Sequence, residues 1–191
     1  KPSRVGGAEL DYATILEISY ELSRGCGSTG WVYVNLASHH WMMAMFPEQA
    51  QKDIWDSSPF SCVASSVIYP AGKAKKVKGG YELSGRWPFC SGILHSDWIM
   101  VGGLVGKPSN DARPEGRMFV VSKNDLELID TWNVGGLAAA CSATHPCSSS
   151  FSAPLTVRPP ASVGMYCPLV SVSGSPYSSG SGATPTMELP P

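Results

Sequence analysis

Apolar residues fall at two different spacings along this chain, and the change comes at about residue 57. Through "DYATILEISYELSR" (11–24), Leu, Ile and Tyr recur every three to four positions, the period of a helix with one apolar face. Asp11 is placed to cap that helix and Gly25 to stop it. Ser28 or Thr29 is placed to cap a second helix, "GWVYVNLASHHWMMAMF", which is apolar on nearly every side and is therefore expected to be buried. Pro47 suits the first turn of a third helix, "PEQAQKDIW". After Trp55 the pattern shifts to short β runs: Cys62–Tyr69, Ala74–Lys78, Tyr81–Arg86, Trp98–Leu104, Met118–Ser122 and Leu126–Thr131. Gly79-Gly80 marks a hairpin between two of them. Helices followed by strands, without βαβ alternation, predict an α+β fold with the helices ahead of an antiparallel sheet.

Residues 138–191 break with this order. Of 29 charged residues, only Arg158 and Glu188 lie beyond Leu137, and the segment is rich in Ser and carries nine Pro. Neither period is evident in it, so an irregular C-terminal tail is expected, with the edge of the sheet left open and Trp132 and Val134 exposed. The expected organisation is 1–57 helical, 58–137 β domain and 138–191 low-complexity tail.

Composition narrows the function classes. Hydrophobic residues make up 43% of 191, enough for a core, and the net charge of −1 offers no footprint for nucleic acid or an anionic membrane. No apolar run approaches the ~18 residues of a membrane span. There is no signal-peptide pattern, and the chain opens at Lys1 rather than Met, as expected of a partial chain. The six Cys (26, 62, 90, 141, 147, 167) form no Cys-x-x-Cys and no zinc-finger spacing, so they read as free thiols in a reducing cytoplasm. "VGGLVG" (101–106) lacks the Gly-Lys-Ser/Thr and following helix of a phosphate loop and reads as strand-end packing.

Two stretches carry candidate chemistry. "GRWPFCSG" (85–92) crowds large aromatic rings against small residues. It reads either as a strand whose Trp87 and Phe89 fill the core, or as a wall for a flat ligand, with Cys90, Ser91 and Gly92 bringing small side chains and backbone donors close. In "LASHHW", His39 and His40 point about 100° apart on a helix and lack an i,i+4 partner, which argues against a metal. By spacing alone each is a buried, hydrogen-bonded histidine. Ser65 and Ser66 in "VASSVIYPAG" read as small residues of an ordinary strand.

Four pieces in order, "GSTGWVYVNLASHHWMMAMFP", "ASSVIYPAGKA", "GRWPFCSG" and "IDTWNVGGL", resemble the acyl-CoA dehydrogenase superfamily. The likeness is narrower to its reduced-flavin-dependent aromatic monooxygenases, the oxygenase halves of two-component hydroxylases, and covers about residues 1–137. It implies the end of an N-terminal helical domain and most of a middle β domain, without the C-terminal helical bundle through which such proteins form homotetramers. It implies reduced FMN or FAD as cofactor, a flavin reductase as partner, and a phenolic or polycyclic aromatic substrate. Residue by residue, it implies that Ser66, Trp87, Phe89, Cys90 and Ser91 lie along the flavin, that Trp31 and Ser65 line the substrate pocket, and that His39 helps form the phenolate. Cys90 departs from the Ser-Ser-Gly usual in these hydroxylases. Pro70-Ala71-Gly72-Lys73 lacks the Gly-Ser-Asp of the dehydrogenase branch, whose FAD-dependent thioester chemistry is the rival reading; an incomplete, inactive chain is the other. The likeness ends where the composition changes, as expected of a shifted reading frame.

Overall fold

The computed structural model describes residues 1–56, 58–78, 80–106, 114–129 and 134–140, with the backbone alone of 150–157 and 164–165. Three helices lead: α1 (Ala13–Gly25), α2 (Gly27–Met43) and α3 (Glu48–Trp55). Asp11 caps α1 from two residues ahead, its Oδ1 accepting from the Ala13 amide at 2.8 Å. Only Cys26 separates α1 from α2, and it is Cys26, not Ser28 or Thr29, that holds the N-cap position of α2. The two helices approach closely at Gly30, where a Cβ would collide with the Ser23 hydroxyl, while Ser19 Oγ donates to the Gly30 carbonyl at 3.1 Å. Pro47 immediately precedes α3.

The expected burial of α2 is corrected. Only Gly30, His39 and Met43 of its residues are buried, while Trp31 is 46% and Trp41 52% exposed. A helix apolar all round needs cover on every side. Here the sheet covers one side and α1 part of another.

The strands are β1 (Val63–Ser66), β2 (Gly72–Val77), β3 (Gly80–Pro88), β4 (Trp98–Val105), β5 (Glu115–Ser122), β6 (Glu127–Ile129), β7 (Ser150–Val157) and β8 (Gly164–Met165). Their order is β6-β7-β3-β2-β4-β5-β8, with β1 beside β4. Val77 pairs with Gly80, so the hairpin forms where expected, although Gly79 lies outside the described residues. The sheet is mixed rather than purely antiparallel: β1 and β2 both run parallel to β4, β1 along Trp98–Val101 and β2 at Leu104 and Val105. The predicted run Cys62–Tyr69 is therefore cut short. β1 and β2 are two pieces of one line beside β4, broken by a 3-10 turn at Tyr69–Ala71. Val101–Val105 form the C-terminal part of β4, and Gly106 follows the strand's end, as expected.

The tail expectation is also corrected. Residues 150–157 pair with β3 along its length and with β6, so the sheet continues where an open edge was expected. The edge of β3 holds a row of backbone donors and acceptors, and any extended segment can satisfy them. "SFSAPLTV" has the required pattern, since Phe, Ala, Leu and Val alternate with Ser, Pro and Thr from 151 to 157. Ala140 is buried too, and its carbonyl accepts from the Gly92 amide at 3.1 Å. Val134 is 40% exposed, as expected, whereas Trp132 lies outside the described residues.

Two apolar clusters support the sheet. One contains Leu83, Trp87, Cys90, Ile93, Ile99, Val101 and Phe119; the other joins Met43, Ile54 and Trp55 of the helices to Val63, Met100 and Val120. The second locks α2 and α3 onto β1, β4 and β5. Among the described residues no helix is long and apolar enough to cross a membrane.

Candidate functional site

Among the described residues, the break between β1 and β2 leaves β1 with a strand partner on one side only, and α2 takes up the other side. His39, 6% exposed, donates from Nδ1–H to the Val63 carbonyl at 2.7 Å. That carbonyl can only accept, which fixes the tautomer and leaves Nε2 with its lone pair. The Ser65 hydroxyl stands 2.8 Å from Nε2 and donates to it. Burial holds the His39 imidazole below its ordinary 6.5; the Val63 bond opposes this and the neighbouring His40 adds to the lowering. His39 is therefore neutral near pH 7.

Ser66, the next residue, turns its hydroxyl to the Pro88 carbonyl at 2.6 Å, tying β1 to the end of β3. Phe89 follows with φ 58, a left-handed conformation costing roughly 1–2 kcal/mol for a bulky residue, and its ring is 66% exposed. Gly92 takes φ 78 and packs under Leu36 of α2, whose side chain leaves no easy space for a Cβ. Between them Ser91 accepts a hydrogen bond from the Trp31 indole N–H at 2.9 Å. Having accepted, the Ser91 hydroxyl keeps its own proton to donate.

The seam between α2 and the strand ends is thus bracketed by two cross-links, Trp31–Ser91 and His39–Ser65. Trp31 and His39 are eight residues apart, about 12 Å along a helix axis. Six of the eight predicted site residues meet along this seam: Trp31, His39, Ser65, Ser66, Phe89 and Ser91. The other two do not present themselves to it. Trp87 is fully buried, its indole N–H donating to the Gly102 carbonyl at 2.7 Å, and Cys90 is fully buried in the same cluster. The expectation that the Trp87 ring and the Cys90 side chain touch a flat ligand gives way to a core role. β3 alternates, and Trp87 shares the inward face with Leu83 while Glu82, Ser84 and Arg86 face out. The Gly92 amide is likewise taken by Ala140.

His40 is half-buried and hydrogen-bonded. Its ring lies edge-on to Trp55 at 5.8 Å between centroids, and its Nε2–H donates to the Ser61 carbonyl at 3.2 Å. Sequence reasoning missed the Val63, Pro88 and Ala140 carbonyls and Leu36. Backbone acceptors leave no mark in a sequence, and Leu36 is one apolar residue in an apolar helix. Among the described residues no group of His, Cys, Asp or Glu could hold a metal ion.

Burial also holds His40 below 6.5, against the pull of the Ser61 carbonyl. The sign of the pH effect follows. With both folded values depressed, the unfolded chain takes up protons first as pH falls, so this part of the stability is complete above about pH 6.5 and declines beneath it. The urea midpoint is expected to drop between about pH 7.5 and about pH 5.5, and to drop less in His40→Gln. An equal drop in both proteins would remove His40 from the account.

At this seam a helical pair closes the open side of a broken strand and sets a buried, neutral histidine beside the Ser65 hydroxyl. No family model matches the chain. It is 39% identical over 144 residues to the oxygenase component of an FADH(2)-dependent resorcinol hydroxylase from Rhizobium sp., covering 75% of this chain and 35% of that protein. It superposes on the HsaA monooxygenase from M. tuberculosis with a TM-score of 0.75 at 31% identity, covering 86% of this chain and 43% of that one. XiaF from Streptomyces sp., solved in complex with FADH2 and glycerol, gives a TM-score of 0.73 at 31% identity over 86% of this chain and 40% of that one. The homologues are named as oxygenase components of flavin-dependent monooxygenases and hydroxylases. This chain spans about a third of the length of such relatives.

Proposed function

We propose that this chain is part of the oxygenase component of a two-component, reduced-flavin-dependent monooxygenase that hydroxylates a phenolic substrate, with a separate reductase supplying FMNH2 or FADH2. The observation that carries this reading is the line Ser65–His39–Val63, at 2.8 and 2.7 Å. Ser65 donates to Nε2 and still has lone pairs to accept with. A phenolic O–H set against Ser65 Oγ would pass its proton to that oxygen as the Ser65 proton moves to Nε2. The resulting imidazolium is held by the Val63 carbonyl, and the phenol becomes the electron-rich phenolate. Reduced flavin supplies the activation of oxygen. The groups present suit a flavin ring: Phe89 offers an exposed aromatic surface and Ser91 a proton, oriented by Trp31, for a ring nitrogen or carbonyl. Ser66 holds the Pro88 carbonyl and so fixes the turn that carries both.

The test is a chimera in which residues 1–137 replace the matching segment of the Rhizobium resorcinol hydroxylase. It is expected to retain flavin binding and to form hydroxylated product from a phenol, reduced flavin and oxygen. A folded chimera that binds reduced flavin yet turns over no phenol, across a panel of mono- and dihydroxybenzenes, would overturn the reading.

A further inference from the structure

The outward side of the helical pair is apolar without being covered. No residue of α1 is buried, although the helix carries Ile15, Leu16, Ile18, Tyr20 and Leu22. Tyr12 at its N-cap position, Leu16 and Tyr20 stand four apart and so share one face, with Leu16 57% and Tyr20 69% exposed. On α2, Trp31, Val34, Ser38 and Trp41 stand alternately three and four apart, the spacing of a helix stripe that meets another helix, and Met45 continues it just past the helix end. Trp31, Trp41 and Met45 are each close to half exposed. The two stripes adjoin: the Tyr12 O–H donates to Ser38 Oγ at 3.0 Å, and the Tyr12 ring lies edge-on to Trp41 at 5.5 Å between centroids. Together they make one contiguous apolar patch, unlike the single exposed side chains that any surface carries.

Charge decides what fits this patch. α2 has no Asp, Glu, Lys or Arg in its 17 residues, and α1 has only Glu17, Glu21 and Arg24, the last two paired with each other at 2.9 Å. A lipid surface selects helices with a Lys- and Arg-rich polar face, which this pair lacks. A strongly acidic or basic protein finds no opposite charge on it. The Tyr12 and Ser38 hydroxyls inside the patch are already bonded, since Ser38 Oγ donates on to the Val34 carbonyl at 2.6 Å, so covering them strands neither proton. An uncharged stripe is complementary to itself, as a twofold pairing of identical surfaces requires. Homodimer interfaces are the more apolar class, enriched in aromatic residues and Met. Four aromatic side chains of ~150–250 Å² each, close to half exposed or more, with Leu10, Leu16 and Met45 beside them, offer several hundred Å², the order of the ~800 Å² per partner in a stable complex.

We propose that the α1–α2 face is a self-association surface, through which two copies of this chain pair their helical hairpins into a four-helix bundle. Trp31 belongs to the stripe and also donates to Ser91, so the second copy covers the solvent side of that cross-link. The pairing is a property of the chain's surface and does not depend on the chemistry proposed for His39.

Sedimentation equilibrium of the 191-residue chain is expected to give a mass of twice 20.3 kDa at high concentration, falling toward the monomer on dilution. Leu16→Lys/Tyr20→Lys is expected to weaken the pairing by at least about a hundredfold. Both side chains are mostly exposed and Lys is a good helix former, so the variant keeps its fold, which circular dichroism checks. Raising the salt about tenfold is expected to leave the dimer intact, because buried apolar surface rather than charge holds it. In the unaltered chain, amide exchange in α1 and α2 is expected to slow between dilute and concentrated protein, with β2, β3 and β5 unchanged. That measurement needs no substitution and so decides the matter if the variant does not fold. A monomer at a concentration of about 100 μM, a broad distribution of larger aggregates, a dimer that survives the lysine changes or dissociates in salt, or slowed exchange confined to the strands would each overturn the proposal.

Discussion

Trp87→Ala is expected to destabilise the fold by about 3–5 kcal/mol, the largest effect of any single substitution considered for this chain. The ring is fully buried in a cluster with Leu83, Ile93, Ile99 and Phe119, so its removal leaves a large cavity in that cluster. Gly72 allows the ring its place, because a Cβ there would overlap both Trp87 and the Gly102 carbonyl. That carbonyl loses the indole donor in the same step, adding an unsatisfied buried acceptor. Urea unfolding at neutral pH measures the loss, with Phe89→Ala as the comparison. Phe89 is mostly exposed and strained, so its replacement is expected to cost less than about 1 kcal/mol. If Trp87→Ala proved no more costly than Phe89→Ala, Trp87 would be a ligand wall after all and not a core residue.

His39→Ala, placed in the chimera described above, is expected to slow hydroxylation by roughly 10²-fold or more while flavin binding persists. The substitution removes the proton acceptor behind Ser65 and leaves the Val63 carbonyl without its donor. Part of the effect is therefore structural, about 1–3 kcal/mol of stability, and must be separated from the chemistry. His39→Asn serves that purpose, since its amide can still donate to a carbonyl but is not a base. The expected outcome is stability near that of the parent with activity near that of His39→Ala, and oxygen consumed without hydroxylated product. Full activity in His39→Asn would mean that His39 only props up the edge of β1. Loss of activity in His40→Ala with His39→Ala unaffected would mean that the neighbouring histidine carries the proton.

The helices were legible because their caps and breaks are local: Asp11, Gly25 and Pro47 act within a turn of where they stand. The strand runs were legible for the same reason, and His39 could be singled out by resemblance to a family motif. Of the two readings open for Trp87, the sequence already favoured burial in the core. In "YELSGRW", Glu82, Ser84 and Arg86 occupy alternate positions, so Leu83 and Trp87 must share the face turned from water. A large aromatic ring beside glycine looks the same whether it meets a ligand or a core, and only strand parity tells the two apart. Parity was likewise present in residues 150–157 and was masked by the surrounding Ser and Pro. The parallel pairing of β1 and β2 with β4 left no local trace. It depends on contacts some thirty residues apart, with a turn in between that neither half of the pairing encodes.

That broken line has a consequence for how the seam opens. Four residues of ladder hold β1 to β4, and on its other flank β1 is fastened by side chains: His39 to the Val63 carbonyl and the Ser66 hydroxyl to the Pro88 carbonyl. Separating β1 from the end of β3 therefore disrupts no ladder rung between them. It exchanges the Ser66 bond, worth on the order of 1 kcal/mol net, for whatever the incoming ligand offers that hydroxyl and that carbonyl. Local opening at the seam is thus nearly decoupled from global unfolding, which must also break β3, β4 and β5. Movement of β1 against the end of β3 would thus leave the β1–β4 and β4–β5 ladders whole.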